Sequence, residues 1–145
     1  MFVFRMHHPR FATFDTTGSA LYGGRWHSRG VRVVYTAEHV SLAVLETVIH
    51  ASGDEVPQRS VARIHIPDDL PVETAPWIEF PLSQNYGDRW VVDGRSAVLR
   101  VESAVVNRME SNFVINPLHP DFARIKHEVP REFPFDSRFF NRDVP

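Results

Sequence analysis

Apolar and polar positions alternate in several short stretches of this chain. Residues 2–6 are apolar, aromatic or β-branched around a single Arg5, and they predict a first strand. Residues 31–36 predict a second. Residues 60–66 predict a third, with Ala62, Ile64 and Ile66 on one face, Arg63 and His65 on the other, and Pro67 as its stop. Further strands are expected at 96–101, where Ala97, Leu99 and Val101 alternate, at 112–116 and at 122–126. Over residues 37–52 the period becomes helical. At about 100° per residue Val40, Leu42, Val44, Leu45, Val48 and Ile49 share one broad arc, and His39, Glu46 and His50 fall opposite. Thr36 stands where a helix cap belongs, Glu38 in the first turn and Gly53 at the end. A short helical turn is expected at 88–93.

The intervals carry their own signals. Four of the seven glycines lie between positions 18 and 30, around Tyr22-Gly23-Gly24-Arg25-Trp26, so the backbone there turns sharply or admits something close to it. Residues 57–81 hold five of the eleven prolines and should be irregular and surface-hugging, although Trp77, Ile78 and Phe80 make them too apolar for a linker. The tail, 130–140, carries four Phe and two Pro and should fold back onto the sheet. One dominant helix among strands, without regular β–α alternation, predicts an α+β fold with a mixed or antiparallel sheet, in one domain spanning 1–145.

Composition then narrows the class. With 145 residues, 43% hydrophobic and 23% charged, the chain has an ordinary globular balance. It contains no cysteine, which excludes disulfides, Cys-ligated zinc and thiolate nucleophiles. The first residues lack the apolar core of a signal peptide and no stretch reaches the roughly 20 apolar residues of a membrane helix, so a cytoplasmic protein is expected. A net charge of -2 gives no overall basic field, and direct nucleic-acid binding is not expected. The eight histidines show no metal-ligand spacing, and no metal is expected. Fifteen of the sixteen basic residues are Arg. Guanidinium suits bidentate recognition of phosphate or carboxylate, but GC-rich coding would give the same bias.

Candidate chemistry sits at few positions. Arg5 and Arg25 lie in apolar or glycine-flanked context, where an unpaired guanidinium is costly to desolvate, so each needs an anionic partner. Gly23 and Gly24 would let a phosphate reach backbone N–H groups before Arg25. A structural carboxylate would satisfy the same Arg equally well. Glu46 either emerges at the edge of the helix's apolar face or is a solvent-facing residue pairing with His50 at i+4. Tyr35 either stacks on a planar ligand or belongs to the core. Ser103 has no nucleophile elbow around it. His119, between Pro117 and Pro120, lies in a constrained loop.

In order along the chain, Phe4-Arg5-Met6, Gly23-Gly24-Arg25-Trp26, Val33-Val34-Tyr35-Thr36-Ala37-Glu38 and Leu42-Ala43-Val44-Leu45-Glu46 resemble the RES-domain family. So do residues 94–106, which end in Glu102-Ser103-Ala104-Val105-Val106, and residues 110–122, which contain Asn116-Pro117-Leu118-His119-Pro120. The family's Arg, Glu and Ser match Arg25, Glu46 and Ser103. The resemblance implies a bacterial toxin of a type II toxin–antitoxin pair, neutralised by a partner with an Xre-like helix-turn-helix domain. It also implies an ADP-ribosyltransferase-like fold that binds NAD⁺ as substrate between sheet halves. Carried over by position, Arg5 and Arg25 would hold the pyrophosphate, Tyr35 would contact the nicotinamide side, and Glu46 and Ser103 would address the nicotinamide ribose.

Two positions depart from the family pattern: His27 where Asn is common, and Glu102 where Pro is usual. A simple hairpin joining Trp26 to Val31 would also put Arg25 and Tyr35 on opposite faces, so a bulge or wider loop must intervene if both line one pocket. The implied reaction is cleavage of the nicotinamide–ribose bond, by a glycohydrolase or phosphorolase, or by an enzyme passing ADP-ribose to a protein. A non-catalytic interaction module would instead fill the Arg5/Arg25 pocket with its own carboxylates. An RNA-cutting toxin is disfavoured by the charge and by the lack of clustered basic and aromatic residues. Family analogy suggests a homodimer, with residues 133–140 as a candidate contact surface.

Overall fold

The computed structural model describes residues 1–51, 56–141 and 143. Among these residues the expected α+β architecture is present: a mixed sheet with three α-helices. The strands are β1 (Phe2–His7), β2 (Val34–Ala37), β3 (Ser60–His65), β4 (Val72–Thr74), β5 (Val98–Glu102), β6 (Ser111–Ile115), β7 (Lys126–His127) and β8 (Arg131–Glu132). The helices are α1 (Thr17–Tyr22), α2 (Val40–His50) and α3 (Leu82–Asp93). Strand order is β4-β5-β6-β2-β1-β3-β7, with β8 beside β3. Among the described residues only β4 and β5 run parallel; the other pairs are antiparallel.

Strand alternation divides the core. Val34, Val98, Phe113 and Ile115 face one way and join Val3, Ile64, Ile66, Leu70 and Ile125. Leu99, Val101 and Val114 face the other way and meet Trp90 of α3 together with Trp26, while Ala37 meets Leu42 and Ala43 of α2. Both long helices therefore cover one face, and loops cover the other. Where β1 runs beside β2, the only register pair is Phe4 with Ala37, whereas β1 pairs with β3 through six residues. The sheet splits at this seam. Among the described residues no helix is long and apolar enough to cross a membrane.

Several boundaries differ from the sequence pattern for identifiable reasons. The second strand begins at Val34, not at 31, because Val31 N–H closes a turn onto the Ser28 carbonyl. Thr36 does not cap a helix. It lies inside β2, where its hydroxyl donates to the Phe113 carbonyl at 2.8 Å. Glu38 precedes α2 instead of joining its first turn, and its carboxylate accepts the Ser111 N–H. In α2, Leu42, Ala43 and Val44 are buried while Leu45 and Ile49 are exposed, so the apolar arc is narrower than expected. Ser52 and Gly53, where the pattern ended this helix, lie outside the described residues.

The turn expected at 88–93 is the last part of α3, which starts at Leu82. Its buried residues are Ser83, Gly87 and Trp90, a stripe too small and polar to read as amphipathic. The strand expected at 122–126 is a 3₁₀ turn, Pro120–Arg124, with His119 Nδ1 accepting the Asp121 N–H; strand pairing resumes only at Lys126, in β7. Pro120 presets that turn. The tail returns to the sheet as expected: β8 pairs with β3, and Phe133 N–H bonds the Arg59 carbonyl. Phe133, Phe135, Phe139 and Phe140 then pack against one another.

Candidate functional site

A cleft of about 670 Å³ opens at the split between β1 and β2 and is lined from α2, the turn at residues 23–27 and the end of β5. That volume lies within the ordinary range for small-molecule sites. On β1, the Arg5 guanidinium reaches across the seam: Nη1 donates to the Tyr35 carbonyl at 3.4 Å and Nη2 to the Asp15 carbonyl at 3.2 Å. Its Nε has no partner. Burial pulls its pKa down to about 10, opposed by the Asp15 charge, so Arg5 remains cationic at neutral pH. Arg25 also has a buried Nε without a partner, and its guanidinium lies 5.1 Å from the Trp77 ring centroid. Among the described residues neither cation forms an ion pair with a carboxylate. No carboxylate among the described residues contacts either guanidinium, and for Arg5 only the more distant Asp15 charge offsets its burial.

The turn that carries Arg25 is not a hairpin. Gly23, just past the end of α1, adopts φ 71°, Gly24 N–H bonds the His27 carbonyl at 3.0 Å, and a loop over residues 28–33 intervenes before β2. This wider connection brings Arg25 and Tyr35 to the same cleft. Helix α3 holds the turn from behind. Ser83 Oγ donates to the Arg25 carbonyl, Gln84 Nε2 donates to the Gly24 and His27 carbonyls at 2.8 and 3.1 Å, and the Asp88 carboxylate accepts the Ser28 N–H at 2.8 Å. Gly87 permits the approach: a Cβ there would lie 1.7 Å from the Trp26 carbonyl oxygen. These α3 positions had no signal in periodicity, because their partners are backbone groups about sixty residues earlier.

From α2, Ala43, Glu46, Thr47 and His50 line the cleft at the i, i+3, i+4, i+7 spacing of one helical stripe. Glu46 Oε1 accepts the Ser103 hydroxyl at 3.0 Å. Glu46 thus turns into the cleft and bonds Ser103, instead of pointing to solvent and pairing with His50. Ser103 is only 1% exposed, and its Oγ also accepts the Val105 N–H at 3.2 Å. With its proton committed to Glu46, this hydroxyl fixes the carboxylate and is poorly placed to attack a ligand. Glu102, the second carboxylate of the cleft, is bound twice by Arg108 at 3.1 Å, which holds its pKa below the usual carboxylate range. Among the described residues Glu46 is the cleft carboxylate left without a cationic partner.

The Tyr35 hydroxyl accepts the Trp26 N–H at 3.1 Å and lies 2.7 Å from His27 Nδ1; burial pushes the phenol's pKa up. His27 is fully buried, and the sequence singled it out only as a departure from a pattern. His119 bonds within its own turn and does not line the cleft. Among the described residues the one group with three possible metal ligands in reach is Glu38, His39 and Glu110, none of which lines the cleft.

A sequence model described as the RES domain matches residues 2–136. The chain is 35% identical over 141 residues to a "Prs ADP-ribosylating toxin" of Sphingobium sp., covering 86% of this chain and 85% of that protein. It is 34% identical over 151 residues to a "Toxin Res" of Photorhabdus laumondii, covering 95% and 96% respectively. Its fold is shared with a chain in the crystal structure of the M. tuberculosis MbcT–MbcA toxin–antitoxin complex, with a TM-score of 0.75 at 13% identity, over 91% of this chain and 83% of that one.

Proposed function

The chain belongs to the RES-domain family, and from that premise we propose that it is the toxin of a toxin–antitoxin pair, an enzyme that cleaves the nicotinamide–ribose bond of NAD⁺. The observation that carries this reading is the gathering, in one cleft, of two guanidiniums without carboxylate partners and one carboxylate without a cation among the described residues. A dinucleotide supplies what is missing. Its pyrophosphate is the anion for Arg5 and Arg25, and its ribose places a developing cation beside Glu46.

Bond breaking expels neutral nicotinamide and leaves positive charge on the sugar, as glycoside cleavage does. A carboxylate fixed beforehand stabilises that charge without reorganising. Ser103 does the fixing, through its hydrogen bond to Glu46. Arg5 and Arg25 hold the remote half of the substrate, so binding energy there orients the reacting bond. The Tyr35 ring supplies a wall on the nicotinamide side.

The acceptor is water or phosphate in this reading. A relative that carries the name ADP-ribosylating toxin favours a second one, in which the same cleft hands ADP-ribose to a protein side chain. The likeness to a chain found in a toxin–antitoxin complex supports an antitoxin partner; that this partner is Xre-like and that the protein acts in the cytoplasm are part of the proposal, carried over from the family resemblance and the sequence. The interaction-module reading required the chain's own carboxylates to fill the Arg5/Arg25 pocket, and among the described residues no carboxylate pairs with either Arg, Glu102 being taken by Arg108.

Incubating purified protein with NAD⁺ should release nicotinamide together with ADP-ribose, ADP-ribose 1″-phosphate or a labelled protein, and the second product names the acceptor. NAD⁺ that survives intact would overturn the proposal. Arg25→Ala is expected to raise KM for NAD⁺ by about ten- to a hundredfold, with a smaller change in kcat, because it removes binding present before the transition state. An unchanged KM in a folded Arg25→Ala protein would detach this residue from the substrate.

A further inference from the structure

His27 is absent from the set of residues argued above to touch NAD⁺, yet its two ring nitrogens have sharply defined neighbours. Nε2 lies 2.7 Å from the Ser19 carbonyl oxygen, which can only accept, so Nε2 carries a proton. The ring is fully buried, and among the described residues Nδ1 is the one acceptor within hydrogen-bond reach of the Tyr35 hydroxyl proton, so Nδ1 holds a lone pair. The Tyr35 hydroxyl, 2.7 Å from Nδ1, must then donate to it. That hydroxyl already accepts the Trp26 N–H. Gly24 is part of the same fit, since a Cβ there would meet the Tyr35 hydroxyl at 2.8 Å and the His27 ring at 2.9 Å.

We propose that His27 is a positioning residue: as the Nε2–H tautomer it takes the Tyr35 phenolic hydrogen bond and so clasps the turn bearing Arg25 to β2, leaving only the Tyr35 ring for substrate. The kinetic part of this inference rests on the NAD⁺ reading; the hydrogen-bond arrangement does not. The clasp sets Arg25 before substrate arrives, so its loss weakens the hold on the pyrophosphate and is read in KM.

Two amide substitutions separate the nitrogens. In His27→Asn the side-chain oxygen replaces Nδ1 as acceptor for Tyr35. In His27→Gln the amide reaches toward Ser19 and leaves the phenol without an acceptor. With NAD⁺ as the probe, His27→Gln should raise KM by about tenfold with kcat within about threefold, and His27→Asn should stay within about threefold of the parent in both. Tyr35→Phe should match His27→Gln, and the double variant should be no worse than either. A merely structural role would lower the active fraction, and hence apparent kcat, in both His27 variants at unchanged KM; that pattern overturns the proposal, as does equality of Gln and Asn. A long-range ¹H–¹⁵N correlation spectrum of the labelled, substrate-free protein should show the Nε2–H tautomer, and an Nδ1–H or doubly protonated ring overturns the clasp. If the parent protein leaves NAD⁺ untouched, the functional reading falls and the spectrum alone decides.

Discussion

Glu46→Gln should lower kcat for nicotinamide release by about a hundred- to a thousandfold while the protein stays folded, the scale seen when one preorganised electrostatic contact to a transition state is removed. The substitution is chosen because Gln keeps the length of the side chain and an oxygen able to accept the Ser103 hydroxyl, so the bond at 3.0 Å survives and only the charge is lost. A neutral amide cannot stabilise the cation that grows on the ribose as nicotinamide leaves. KM should move little, because the charge is demanded in the transition state and not in the bound ground state. Ser103→Ala is the companion measurement. It leaves the charge and frees the carboxylate to rotate, and about a tenfold loss is expected from one hydrogen bond to a charged group. Nicotinamide release and a thermal melt on the same preparations check both. A Glu46→Gln protein that melts like the parent and still turns NAD⁺ over at the parental rate would remove Glu46 from the chemistry.

What could be read in the sequence follows what each element buries. β1, β3, β5 and β6 alternate because each puts one face against a core cluster, and their positions were legible to within one or two residues. α1 buries no residue and left no pattern. α3 was seen only at its Trp90 end, because the rest of its buried stripe is Ser83 and Gly87. Thr36 had the chemistry of a cap, but a strand neighbour offered its hydroxyl the Phe113 carbonyl, and tertiary pairing won. Glu46 was ambiguous by periodicity for a related reason: the helix presents a half-polar stripe to a cleft, and a stripe facing a cleft resembles one facing solvent. Arg25, Glu46 and Ser103 were named together only by resemblance to a family. Chemistry alone made Ser103 an unconvincing nucleophile, in keeping with a hydroxyl whose proton is already given to Glu46.

Gly87→Ala should destabilise the protein by roughly 2–3 kcal/mol, a fall in Tm of about 6–12 °C for a domain of this size. In an exposed helix the same change would stabilise by about 0.5–1 kcal/mol, because Ala loses less conformational freedom than Gly. Here the added methyl would sit 1.7 Å from the Trp26 carbonyl oxygen and 2.7 Å from its carbon. Those atoms are backbone and have no rotamer to move to, so α3 must withdraw. Withdrawal loosens Trp90 from Trp26, Leu99 and Val101 and stretches the Ser83 and Gln84 bonds to the turn that carries Arg25. Stability and NAD⁺ affinity should therefore fall together. Gly18 is the internal control: it lies in α1 without a positive φ, and a Cβ there meets nothing within 4 Å, so Gly18→Ala should leave Tm unchanged or slightly raised. Thermal unfolding of the two variants beside the parent decides the matter, because a Gly87→Ala protein as stable as Gly18→Ala would mean that α3 does not press on the Arg25 turn.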